Sequence, residues 1–500
     1  MDHFDEFSRP EEYISPLDRQ IRKVIRNWAE REVIPLRREF DEDWKDHKLI
    51  GPALDKLMGE LGLQKAMFPE EFGGWGLTRS DYLFRIIYAL FEEMGRADTG
   101  MAVAFGVTSW PLITILVDPY MNMRLIEEFA PLFCNTKKAV FAANAMTEPQ
   151  GGSDIENLGL LKGKTIKTTA RLDGDEWVIN GHKIWPSNSG GIAKLFGVPC
   201  TTKPGSGDPD DFAFIFVPAD TKGVTQGGPY EKAGMATDKN GDVWFEDVRV
   251  PSWYRAHGPG RDAMAFYQLI SFGQVASVAF LTGAMANLYE RLYEFVTTMT
   301  YRNRPLKEND AIAAVIGRIA GDIDICRILG HEAAMMGDRR NKPYGEPITS
   351  EAVVGKIRNI KDFVSDRAVE NFGKAMDVLG VYGTDRNWVK ENVRSLLNGV
   401  DPDNARELAK TILWEDPEIV LSLMGALPSL ANSMILFLDE IILQVREKYS
   451  PELLHEFFSE IMREFDGEAI KSIRDNISTM VHEGYFTYDP GSGKKGAGDG

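Results

Sequence analysis

The chain has 500 residues, with 57 Lys and Arg against 75 Asp and Glu, a net charge of −18. That length implies roughly two to four domains. The acidic balance repels phosphate backbones, which argues against nucleic acid as a partner.

The three cysteines, Cys134, Cys200 and Cys326, are far apart and odd in number. They fit neither a disulfide framework nor a metal-binding spacing, so a reducing, cytoplasmic setting is expected. The start, Met1-Asp-His-Phe-Asp-Glu-Phe7, lacks a basic segment followed by an apolar run, so no signal peptide is expected. No uncharged stretch reaches the ~18–20 apolar residues of a membrane span, and none is expected.

Residues 1–138 are predicted to be a helical domain, because apolar positions recur at three and four in Ile21, Val24, Ile25, Trp28 and again in Tyr82, Ile86, Leu90. Residues 139–260 switch to strand patterns, seen in Trp177-Val-Ile, Phe212-Ala-Phe-Ile-Phe-Val and Val243-Trp-Phe, with Gly, Pro, Asn and Asp between them. Thr201–Asp211 is expected to be a surface loop. Residues 261–411 return to helix, with one long helix over Ala263–Tyr301 and two more over Ala311–Arg339 and Ser350–Leu379. Ala276, Ala279, Gly283 and Ala286 form a stripe of small residues that lets another helix approach closely. Residues 412–500 read as a helical extension with an apolar segment over Pro428–Val445 and a flexible tail from Asp489. The fold class is therefore α+β: helical domain, β domain, helical bundle, extension.

Two segments carry chemistry. Phe141-Ala-Ala-Asn-Ala-Met-Thr-Glu-Pro-Gln-Gly-Gly-Ser-Asp154 is an apolar strand running into a polar turn. Pro149 ends strand pairing, and Gly151 and Gly152 free the backbone to approach a ligand. Trp177-Val-Ile-Asn-Gly-His-Lys-Ile-Trp-Pro-Ser-Asn-Ser-Gly-Gly191 follows. Asn180-Gly181 reads as a tight hairpin turn. Trp185 and Ser187, two apart, are expected on one strand face, where an indole and a hydroxyl suit a flat heteroaromatic ring. A decorated β-turn and a core tryptophan are the plain structural alternatives.

Together these segments resemble the acyl-CoA dehydrogenase family. The resemblance rests on Met146-Thr-Glu-Pro-Gln-Gly-Gly-Ser-Asp154, Lys183-Ile-Trp-Pro-Ser-Asn188, Phe245-Glu-Asp-Val-Arg-Val-Pro251 and Leu379-Gly-Val-Tyr-Gly383, in that order. It implies the family's three-domain fold, a β-barrel-like middle domain and a C-terminal four-helix bundle. It also implies FAD as cofactor, an acyl-CoA substrate, an electron-transfer flavoprotein as acceptor and a homotetramer. Carried over residue by residue, Met146, Thr147, Ser153, Trp185 and Ser187 hold the flavin. Pro186 departs from the family's usual apolar residue. Gly380 and Gly383 stand in the glycine-rich turn, and Arg302, with Arg304 as alternative, stands for an arginine that reaches a neighbouring subunit's cofactor.

The family's glutamate base has no counterpart here. The region reads Arg394-Ser-Leu-Leu-Asn-Gly-Val-Asp-Pro-Asp-Asn-Ala-Arg406. The resemblance puts Asp401 at the base when Val400-Asp-Pro402 is aligned with the family's Tyr-Glu-Gly, and Asp403 when counting runs from Arg394. Asp401 before Pro402 also suits a helix N-cap. Another branch keeps its base on the long helix, but Ser271-Phe-Gly-Gln-Val275 offers no carboxylate. Aspartate bases in the family go with cyclic acyl-CoA substrates and with nitroalkane oxidation. A cyclic or branched acyl group is therefore expected; a flavin oxidase or monooxygenase, an acyl-CoA lyase and a non-catalytic flavoprotein stay open.

Overall fold

The structure, a computed structural model, describes residues 14–152, 155, 166–343 and 345–380. The chain divides into two compact units, residues 1–403 and 404–500, and every described residue belongs to the first.

Helices come first. They are α1 (Pro16–Trp28), α2 (Arg37–Glu42), α3 (Ile50–Leu54), α4 (Leu83–Ala97), α5 (Thr99–Leu116) and α6 (Met123–Cys134). A capping box starts α1: the Ser15 hydroxyl accepts from the Asp18 N–H, and the Asp18 carboxylate accepts from the Ser15 N–H. Pro16 follows at the first helical position, where its missing N–H costs nothing. The inner face of α1 buries Arg22, Ile25 and Trp28 against α4.

The middle strands are β1 (Phe141–Asn144), β2 (Thr169–Asp173), β3 (Glu176–Lys183), β4 (Ala193–Thr201), β5 (Phe212–Pro218), β6 (Val224–Gln226) and β7 (Val243–Pro251). They form one sheet in the order β1-β4-β2-β3-β7-β6, with β5 paired to β4. The hairpin turn lies at Gly174-Asp175, between β2 and β3, where Gly174 has φ 65°. This corrects the expectation for Asn180-Gly181, which sits inside β3 at a bulge opposite β7. Gly181 is required there because a Cβ would lie 2.4 Å from the Thr168 hydroxyl oxygen.

Helix then returns as α7 (Arg261–Thr298), the short hairpin β8 (Thr300–Tyr301) and β9 (Arg304–Pro305), α8 (Asp310–Asp338) and α9 (Glu351–Leu379). The predicted small-residue stripe on α7 is consumed inside the chain, not at a subunit boundary. A Cβ on Gly283 would lie 2.0 Å from the Glu92 carbonyl, and one on Gly95 would lie 2.1 Å from the Phe280 carbonyl. The backbones of α4 and α7 therefore touch at two levels. The stripe supplies no argument for a tetramer.

Among the described residues two helices, α5 and α7, are long and apolar enough to cross a membrane, contrary to the sequence expectation. In each, 72% of the apolar window is buried in the protein, so both are core helices here. An ion network ties the helical parts together: Glu92 of α4 meets Arg22 of α1 at 2.6 Å and Arg327 of α8 at 2.6 Å, with the Glu92 and Arg327 side chains fully buried.

Candidate active site

The ends of β1 and β3 meet. The Ile184 N–H donates to the Thr147 carbonyl at 2.9 Å, which sets Met146 and Thr147 beside Trp185. Behind them lies a buried ion pair. Lys183, with no exposed side-chain surface, reaches Glu148 at 2.9 Å and donates to the carbonyls of Met146 (3.2 Å) and Pro199 (2.9 Å). Glu148 also accepts from the Thr168 hydroxyl (2.6 Å) and from the Thr168 (2.9 Å) and Lys167 (2.6 Å) N–H groups. Burial opposes ionisation, but the Lys183 charge and these donors outweigh it and hold the Glu148 carboxyl at about 2.

Gly152 does not open the loop to a ligand in the way expected. A Cβ there would lie 2.9 Å from the Thr147 side chain, so the glycine lets the loop fold back on Thr147. The turn is closed by paired bonds between Glu148 and Gly151.

β3 ends at Lys183, so Trp185 and Ser187 do not share a strand face. Trp185 has φ 65°, a left-handed conformation that costs a bulky residue on the order of 1–3 kcal/mol. Its surroundings enforce it. Asn240 donates to the Trp185 carbonyl at 2.7 Å, and the Tyr230 ring lies 4.1 Å from the indole, centroid to centroid. The indole is still 47% exposed. Ser187 donates to Asp238 at 2.6 Å. Asp238 is buried, which pushes its carboxyl up against the opposing pull of Lys232 at 3.7 Å and of the Ser187 hydroxyl. Asn240 also reaches the Ser187 hydroxyl at 3.4 Å, so one amide gathers both residues.

Tyr230, Lys232, Asp238 and Asn240 were not found in the sequence. They lie roughly 45–55 residues from Trp185, in a loop without regular spacing, and only the fold brings them back. Ser153, Gly383, Asp401 and Asp403 lie outside the described residues. Gly380 closes α9 with φ 57°, its N–H on the Met376 carbonyl at 3.0 Å. Arg302 sits at the exposed tip of the β8–β9 hairpin, with φ 51° and its guanidinium over the Tyr301 ring, while Arg304 pairs with Glu308.

The loop cluster is docked on α5. Asn188 donates to the Ala104 and Ala142 carbonyls, each at 2.9 Å, and Thr237 donates to Asp98, the N-cap of α5. The other side of α5 lines a cavity of about 860 Å³, walled also by α1, α4 and α7. Its walls are mostly apolar, including Val24, Leu90, Phe91, Phe105, Phe272 and Phe280. Among the described lining residues the one carboxylate is Asp362, whose side chain is 72% exposed and lies 3.8 Å from Lys361.

A flat, half-open indole beside two strand ends and a hydroxyl suits a flavin ring. The residues present thus fit FAD, which Met146, Thr147, Trp185 and Ser187 would hold. Replacing Glu148 with Gln should remove the counter-ion of buried Lys183 and loosen this set. The stabilisation from Glu148 is fully present above the ordinary carboxyl value of 4.5 and is lost as pH falls through about 2. Unfolding midpoints of wild type and Glu148→Gln should therefore differ most above about pH 5 and converge toward pH 2, which acid titration of the two proteins checks.

Sequence models of the acyl-CoA dehydrogenase N-terminal, middle and C-terminal domains match residues 15–122, 143–248 and 265–398. The last match stops short of Asp401. A probable acyl-CoA dehydrogenase of Bacillus subtilis is 27% identical over 73% of this chain and 87% of its own. Cyclohexane-1-carbonyl-CoA dehydrogenase of Syntrophus aciditrophicus is 28% identical over 75% of this chain and 88% of its own. In fold, butyryl-CoA dehydrogenase from Megasphaera elsdenii superposes with a TM-score of 0.64 at 22% identity, covering 80% of this chain and 99% of that one. A nitroalkane oxidase crystallised with 1-nitrooctane gives 0.66 at 21%, covering 81% and 97%. With three domain matches in order on this α–β–α frame, the chain belongs to the acyl-CoA dehydrogenase family of FAD-dependent oxidoreductases.

Proposed function

We propose that the protein removes two hydrogens from adjacent carbons of a bulky, ring-bearing or branched acyl-CoA thioester. The apolar cavity of about 860 Å³ behind α5 carries this reading. It lies near the top of the ~300–1,000 Å³ range of small-molecule pockets, far more than a short straight acyl group needs. Relatives named for cyclohexane-1-carbonyl-CoA and cyclohex-1-ene-1-carbonyl-CoA support a ring-bearing acyl group.

Bound FAD supplies a two-electron acceptor for the hydride that leaves the β-carbon. The chain's own residues do the rest. The α-proton goes to a carboxylate, Asp401 in this proposal, and the two C–H bonds become one C=C bond. Asp362 is a poor candidate for that role because it is exposed and sits beside Lys361. Trp185, fixed by Asn240 and Tyr230, presents a flat face to the cofactor. The apolar walls of the cavity take much of the acyl group's surface out of water.

The proposal extends to electron-transfer flavoprotein as acceptor, to a homotetramer and to the cytoplasm. Apolar residues open on the outer helices, Ile325 and Ile328 of α8 and Val369 of α9, support assembly. Three cysteines without disulfide partners support a reducing compartment.

Anaerobic mixing of the FAD-loaded protein with butyryl-, octanoyl-, isovaleryl- and cyclohexane-1-carbonyl-CoA tests the reading. The flavin absorption band should bleach fastest with the ring-bearing thioester. Bleaching by none of them would overturn the dehydrogenase assignment. Rapid reoxidation by oxygen would favour an oxidase instead.

A further inference from the structure

We propose that Asp238 is a positioning residue: it takes the one hydrogen Ser187 can donate, so that Ser187 meets bound FAD as a hydrogen-bond acceptor and favours its reduced form. This rests on the flavin reading of the site, with the N5 edge of the ring toward Ser187.

A serine hydroxyl has one O–H to give and two lone pairs to offer. Here the O–H is already engaged, because Ser187 donates to Asp238 Oδ2 at 2.6 Å. A third residue sets the direction of that bond. The Lys232 ammonium lies 3.7 Å from the same oxygen, and a cation there keeps a proton off it. Lys232 also donates to the Asn240 side-chain oxygen, which fixes that amide's orientation. The Asn240 NH2 must then face the other way. It donates to the Trp185 carbonyl at 2.7 Å and toward the Ser187 oxygen at 3.4 Å. Lys232, Asn240, Ser187 and Asp238 thus close a ring in which every donor points the same way round. One lone pair of Ser187 is left for a ligand, and no donor is.

The charge at position 238 is not needed for packing. Asp238 is 2% exposed, and its Oδ1 has no hydrogen-bond partner among the described residues. Burial pushes the carboxyl up, and Lys232, the Ser187 hydroxyl and the Asn188 N–H oppose it. A buried, half-satisfied carboxylate is costly where a neutral side chain could accept from the same hydroxyl. Its effect falls on Ser187. N5 of an oxidised flavin offers a lone pair; after two electrons and a proton arrive as hydride, it is an N–H donor. A Ser187 that can only accept opposes the first state and pairs with the second. A free serine would turn its O–H to one and its lone pair to the other, and so discriminate far less.

The test measures the two-electron midpoint potential of bound FAD at pH 8, chosen to favour the carboxylate. Anaerobic dithionite titration against a reference dye is run on wild type, Ser187→Ala, Asp238→Asn and the double variant. With Asp238 present, Ser187→Ala should shift the equilibrium about tenfold toward oxidised flavin, the worth of one buried hydrogen bond, which is a fall of ~30 mV for two electrons. With Asn at 238, whose NH2 can turn to Ser187 and release its O–H, the same change should shift the equilibrium at most about twofold. Comparison within each background cancels the effect of removing the Asp238 charge. A rise, or no change, on Ser187→Ala alone would overturn the proposal even if the Asp238 variants do not fold. Equal shifts in both backgrounds would also overturn it. A wild type that takes up no FAD sinks the flavin reading and this proposal together. If the potentials behave as expected but no thioester bleaches the flavin, the proposal stands and the dehydrogenase reading falls.

Discussion

Replacing Asp401 with Asn should lower the rate of flavin reduction by the preferred acyl-CoA by about 10²–10⁴, the span for losing a positioned acid–base group. The substitution keeps size and shape and removes the carboxylate. FAD content and thioester affinity should change little, because Trp185, Met146 and Thr147, the proposed flavin contacts, lie in another part of the chain. The same change at Asp403 should cost at most about 1 kcal/mol of stability if that residue only caps a helix. Stopped-flow reduction of both variants separates the two positions. Loss with Asp403→Asn alone would move the base by two residues, and loss with neither would remove α-proton abstraction by this segment. The described part of the molecule sharpens the test. Along the cavity α7 presents Gly273 and Gln274 where another family branch carries its base, and Asp362 is open to solvent.

The largest stability effect should come from Glu92→Gln. Glu92 sits between two buried guanidiniums, Arg22 and Arg327. Burial alone would lower the Arg22 value, yet Glu92 and Glu93 outweigh it and raise it. Neutralising Glu92 leaves buried positive charge poorly compensated, and breaking a buried pair in this way costs about 3–5 kcal/mol. Urea unfolding should show a large fall in midpoint. A control at the exposed pair Lys356–Glu332 should change stability by no more than about 1 kcal/mol. A Glu92→Gln protein as stable as that control would mean that water or neighbouring groups reach the site.

Helices and strands were legible because their signals are local. The three-and-four spacing around Ile21 and Ile86 gave α1 and α4, and the β-rich runs gave β3, β5 and β7. The errors came where local rules compete with tertiary contacts. Asn180-Gly181 has the composition of a turn, but Thr168 crowding Gly181 makes it a bulge. Trp185 and Ser187 have strand spacing, but the left-handed backbone at Trp185 sends the indole to Tyr230 and the hydroxyl to Asp238. The α7 stripe was read correctly as a close-approach surface, but its partner, α4, lies almost two hundred residues earlier. Motif resemblance singled out Met146, Thr147, Trp185 and Ser187, which the fold brings near the ends of β1 and β3. It gave no view of the Asp238 and Asn240 contacts, which exist only once distant segments meet.

The Glu92–Arg327 pair has a consequence for how the chain is made. Arg327 is synthesised 235 residues after Glu92. At ~5–20 residues per second, a ribosome takes roughly 10–50 s to bridge that gap. During that interval Glu92 has Arg22 as a charge partner but not Arg327, and until residue 280 is made α4 lacks the α7 backbone that covers Gly95. The last strand of the middle sheet, β7, ends at Pro251, before either arrives. The nascent N-terminal helices, with a half-neutralised ion network and an open apolar face, are therefore the stage at which a chaperone would be expected to hold this protein.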